Sequence, residues 1–110
     1  MPKTRTYSHY TKDAICLLGS LIKLARKEQK LTAQDLADRA GISRSTLQRI
    51  EKGDPKCEAG LMFEVACIVG IKLFDADDSR LTEHLDGTKD KIALLPKSIH
   101  KPKQDVDDDF

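Results

Sequence analysis

The sequence predicts a small all-α protein of five short helices, and three observations carry that expectation. Apolar residues recur at helical rather than strand spacing through most of the chain. The stretches they define are bounded by residues that start or stop helices. The apolar complement is aliphatic, with two Tyr, three Phe and no Trp in 110 residues, which suits a modest core of Leu, Ile, Val and Ala.

The elements follow in order. Residues 1–11 read as an N-terminal arm carrying Lys3 and Arg5. From about Lys12 to Gln29, Ala14, Leu17, Leu18, Leu21, Ile22 and Ala25 form one stripe, with Thr11 or Asp13 as the start and Lys30 near the end. Thr32 is a good N-cap for a second short helix. Asp35, three residues on, makes a capping-box-like pair with it, although Glu or Gln suits that position better. Leu36, Ala37 and Ala40 give this helix its apolar side, and Gly41 ends it by taking a positive φ. Ser43 caps a third helix, Arg44 to Glu51, whose inward positions are Leu47 and Ile50, and Gly53-Asp54-Pro55 stops it. A fourth helix begins between Cys57 and Gly60 and ends at Gly70. Being apolar nearly all round, it is expected to be the central buried one.

The remainder is less regular. Ile71 to Phe74 suits a turn, a strand or a lead-in. Asp75, Asp77 and Asp78 favour a helix start through the helix dipole. Leu81, Leu85, Ile92 and Leu95 share a face, and Gly87 leaves one helix or two shorter ones open. The expected organisation is therefore an arm over residues 1–11, a domain over 12–95 and an acidic, flexible tail over 96–110.

Charge is unevenly distributed. Residues 1–56 carry twelve Lys/Arg against six Asp/Glu, a net of +6, and residues 57–110 carry seven against twelve, a net of −5. A basic half can face a polyanion while an acidic half faces away or meets a protein, or both are simply solvated. No apolar run approaches a membrane span and the first ten residues lack a secretion signal, so a cytoplasmic protein is expected. Cys16, Cys57 and Cys67 form no paired motif and the three His are scattered, which argues against a metal or disulfide framework; Cys16 and Cys67 read as small core residues. Without a nucleophile–base constellation or a phosphate-cradling glycine loop, neither enzymatic activity nor a cofactor is expected.

The informative constellation lies between Thr32 and Lys52. A helix-turn-helix needs two helices crossing steeply through a tight turn. The contact between them demands a tiny residue, supplied by Ala37, and the turn four residues later demands Gly41. Ile42 plugs the angle, Leu36 anchors the first helix, and Leu47 and Ile50 anchor the second. The opposite face of the third helix then presents Ser43, Arg44, Ser45, Gln48, Arg49 and Lys52. Arg and Gln side chains there can make two-pronged hydrogen bonds to guanine and adenine edges.

The run Leu18-Gly19, Ile22, Arg26, Leu31-Thr32, Leu36-Ala37, Gly41-Ile42-Ser43, Leu47 and Ile50 to Gly53 resembles the Cro/C1 (Xre) helix-turn-helix repressor family over roughly residues 14–74. The resemblance implies a five-helix, lambda-repressor-like domain that binds palindromic double-stranded DNA as a homodimer. It implies base reading by Arg44, Ser45, Gln48 and Arg49, and phosphate contacts at Thr32, Ser43, Lys52 and Lys56. It also implies a structural ion pair between Arg26 and Glu51. The family usually has Gln immediately after the position of Thr32. Here Ala33 stands there, and Gln34, about 100° further round the helix, is the neighbouring candidate for phosphate, with Arg39 sharing that corner.

Two details are similar to the HipB-type antitoxins that accompany HipA-like Ser/Thr kinase toxins in bacteria. One is Gly53-Asp54-Pro55 followed by Gly60-Leu61 into a very apolar helix. The other is the ending Leu94-Leu95-Pro96-Lys97 with Val106 to Phe110. This likeness implies that the repressor also holds a kinase, with Phe110 as an anchor and Asp107, Asp108 and Asp109 meeting a basic surface. A stand-alone repressor, or an interaction module that lost DNA binding, are the competing expectations.

Overall fold

The computed structural model describes residues 5–99 and 101. The expectations placed on Lys3 and on Asp107, Asp108, Asp109 and Phe110 lie outside the described residues. Those residues contain five α-helices and no strand: α1 (His9–Glu28), α2 (Ala33–Ala40), α3 (Arg44–Lys52), α4 (Ala59–Ile68) and α5 (Asp78–Ala93), with a 3₁₀ turn at Leu73–Asp75 before α5. The predicted fold class is thus observed. No described helix is long and apolar enough to cross a membrane.

The chain divides into two compact units between Asp75 and Ala76. In the first, α1 to α4 enclose a core of Ile22, Leu36, Ala37, Leu47, Ile50, Met62, Val65, Ala66 and Val69. α1 starts earlier than its apolar stripe suggested, because Ser8 caps it: the hydroxyl accepts from the Thr11 amide at 3.2 Å. Its far end closes at Lys30, which takes a left-handed φ of 60° while the Leu31 amide donates to the Arg26 carbonyl at 3.0 Å.

α1 meets α3 at Gly19. A Cβ there would lie 2.3 Å from the Ile50 carbonyl oxygen, so this crossing admits no side chain.

Two expectations are corrected. α4 buries only one face, through Met62, Val65 and Ala66, while Phe63 and Cys67 are exposed. α1, α2 and the 3₁₀ turn pack against it and leave its other side open, so an all-round apolar sequence does not produce an all-round buried helix. Cys16 is likewise exposed rather than in the core, its Sγ 3.7 Å from the Lys52 carbonyl.

In the second unit, Asp77 caps α5 by accepting from the Arg80 amide at 2.9 Å. The helix runs unbroken through Gly87, which resolves the choice between one helix and two. Leu81, Leu85 and Ile92 form its apolar stripe and Leu95 follows just beyond its end; all four are exposed.

Candidate nucleic-acid interface

The geometry of the candidate site begins with the caps of α2 and α3. Thr32 and Asp35 form a complete capping box: the Asp35 amide donates to Thr32 Oγ1 at 3.0 Å and the Thr32 amide donates to Asp35 Oδ2 at 2.9 Å. These bonds hold the Asp35 carboxyl below the usual carboxylate range, the Thr32 backbone bond contributing most. α2 ends at Gly41 with φ 69°, and the Ile42 amide reaches back to the Ala37 carbonyl at 3.0 Å. Ser43 then caps α3, accepting from the Thr46 amide at 3.1 Å.

Packing sets the orientation of α3. Ala37, Leu47 and Ile50 are fully buried, and Ile42 packs half-buried against them. With Leu47 and Ile50 turned inward, helical periodicity sends Arg44, Ser45, Gln48, Arg49 and Lys52 to the opposite side, and all five are exposed. The four base-reading residues expected from the sequence therefore share one outward face.

Each side chain on that face has a distinct situation. Among the described residues, Arg44 and Lys52 are in no ion pair. Arg49 Nε donates to Asp54 Oδ2 at 2.9 Å, while Asp54 Oδ1 accepts from the Lys56 amide at 2.9 Å. The Lys56 amide first and the Arg49 guanidinium second pull the Asp54 carboxyl below its ordinary range, and Asp54 in turn raises Arg49. Fixing Nε sets the direction of the guanidinium and leaves its terminal nitrogens as a fork of donors. Ser45 shares a 3.1 Å hydrogen bond with Ser43.

The residues expected at phosphates fall into two groups. Lys52 and Lys56 are exposed cations. Thr32 and Ser43 already use their hydroxyls as caps, and the Gln34 amide donates to Asp38 Oδ1 at 2.8 Å along the outer side of α2. Where the short side chain of Ala33 sits, an open pocket of about 250 Å³ is lined by Lys23, Arg26, Ala33, Gln48, Glu51 and Lys52. Two lysines and an amide around an open concavity suit an anionic oxygen cluster.

Below this pocket Arg26 and Glu51 are joined at 2.8 and 3.1 Å, with side chains only 10% and 6% exposed. Arg26 also donates to the Leu31 carbonyl at 3.0 Å. The bond to Glu51 raises the Arg26 pKa against the opposing effect of burial. The pair ties α1 to the end of α3 and to the turn before α2.

Sequence reasoning overlooked Lys23 and Asp54 as parts of this surface. Lys23 stands one turn before Arg26, a usable signal for a shared side of the helix. Asp54 lies beyond the end of α3, and only the turn at Gly53, with φ 79°, brings it back to Arg49.

Residues 22–74 match the helix-turn-helix family. A segment of 54 residues is 39% identical to an uncharacterized helix-turn-helix-type transcriptional regulator of Methanocaldococcus jannaschii, covering 49% of this chain and 82% of that protein.

Proposed function

The chain belongs to the Cro/C1-type helix-turn-helix family, and from that premise we propose that it is a transcriptional repressor reading operator DNA through α3. The observation that carries this reading is the pairing of a fully buried Leu47–Ile50 edge with an outward row of Arg44, Ser45, Gln48, Arg49 and Lys52. Arg44 and Arg49 read guanine O6 and N7, Gln48 reads an adenine edge, and Ser45 adds a short-range contact. Asp54 positions Arg49. Lys52, Lys56 and Lys23 neutralise phosphates, the pocket beside Ala33 receiving the backbone. Thr32, Ser43 and Gln34 act chiefly through the caps and helix surfaces they stabilise.

Two copies acting together place two α3 helices in successive major grooves of a palindrome, ~34–36 Å apart. The exposed apolar stripe of α5 is the proposed surface for that pairing. The test is fluorescence anisotropy with the duplex upstream of the protein's own gene and a scrambled duplex, across a salt series. The expected result is tighter binding to the upstream duplex and a linear fall of log K with log salt. Equal affinity for both duplexes contradicts it.

A narrower role rests on the likeness to HipB-type antitoxins, in the Gly53-Asp54-Pro55 linker and the apolar helix that follows: the repressor also holds a HipA-like Ser/Thr kinase. Co-purification with the product of the neighbouring gene tests it. A kinase that travels with the chain supports the antitoxin role, and its absence leaves a stand-alone repressor with the same DNA contacts.

A further inference from the structure

α1 carries two apolar faces, and among the described residues only one of them is packed. The inward face supplies Ile15, Leu18, Ile22 and Ala25 to the core. The other face holds Tyr10, Ala14, Leu17, Leu21 and Leu24 at alternating spacings of four and three, the spacing of a coiled-coil seam. All five are exposed, Tyr10 by 82%, Leu17 by 60% and Leu24 by 54%.

We propose that a second copy of this chain docks antiparallel on this outer face of α1. The sequence along the face is complementary to itself in that direction. With Leu17 against the second copy's Leu21, small Ala14 meets large Leu24, and the Tyr10 hydroxyl reaches Glu28. The flanking positions Asp13, Ser20 and Lys27 follow each other at intervals of seven on one side of the seam. In the same register Asp13 faces the second copy's Lys27, twice about the two-fold axis, and Ser20 lies on the axis. A parallel arrangement would leave Asp13 and Lys27 about 21 Å apart along the pair, with no attraction between them. The seam is about 21 Å long at the helical rise, so the pairing belongs to the small, transient class of contacts.

Its consequence follows from helix geometry. Gly19 marks the side of α1 that faces α3, and Leu17 and Leu21 each lie about 160° around the helix from it. Pairing through α1 therefore turns the two α3 faces away from each other. Resting on the DNA-binding reading above, such a pair links two separate duplexes rather than spanning one palindrome, and weak contacts suffice once each copy is held on DNA.

Sedimentation equilibrium of the full chain without DNA, at submillimolar to millimolar concentration, tests the docking independently of that reading. Leu17→Glu and Leu21→Glu are expected to remove one association step. Asp13→Lys and Lys27→Asp are each expected to weaken that step about tenfold by replacing attraction with repulsion, and the doubly exchanged chain to recover it. Arg44→Ala is expected to leave association unchanged even where DNA binding is lost. Association unaffected by Leu17→Glu overturns the proposal. So does failure of the double exchange to recover, which would mean a different occupant. A fall in melting temperature on Leu17→Glu with association unchanged would mean that the face is covered within the chain, and it also overturns the proposal.

Discussion

At the residue scale, the side chains with the clearest energetic roles are those with fixed partners. Arg26 and Glu51 are nearly buried and doubly bonded, so removing one leaves the other charged without a partner. Arg26→Ala is expected to cost about 3 kcal/mol in denaturant unfolding. Lys30 holds a left-handed conformation that disfavours any side chain with a Cβ; Lys30→Gly is expected to stabilise by about 1 kcal/mol, seen as a raised melting temperature. The carboxyls of Asp35 and Asp54 titrate below their unfolded values. Their contribution to stability is therefore complete above the ordinary carboxylate pKa of about 3.9 and disappears as pH falls through the depressed folded values. Melting temperatures measured from neutral pH into acid should drop across that window, and Asp35→Asn should flatten the drop.

At the scale of elements, the α1–α3 crossing is the tightest constraint. Gly19→Ala drives a methyl into the Ile50 carbonyl and must separate the two helices; a loss of about 2–3 kcal/mol is expected in chemical unfolding. The helix-turn-helix itself was legible from sequence because its demands are local. Thr32 and Asp35, Ala37 and Gly41, Ser43 and Leu47 each lie within one or two helical turns of the residue that needs them. The features that escaped depend on distant neighbours. Nothing near Phe63 or Cys67 states that the far side of α4 goes uncovered, and nothing in the spacing of Arg49 and Asp54 announces their ion pair. Ser8 was missed for another reason: the five residues His9 to Asp13, a little more than one turn, precede the apolar stripe, and the cap alone marks that start.

At the scale of the whole molecule, a basic N-terminal half carries an outward row of donors on α3. In the proposed reading, phosphate contacts would supply affinity that any duplex can claim, and Arg44 and Arg49 preference among sequences. The most direct test compares three variants on the upstream duplex and on random duplex by anisotropy. Arg44→Ala and Arg49→Ala should lose preference, each costing about 1–3 kcal/mol on the upstream duplex and much less on random DNA. Lys52→Ala should weaken both duplexes alike and lower the salt slope by about one. Equal losses on both duplexes for all three variants would contradict the assignment of this face to base reading.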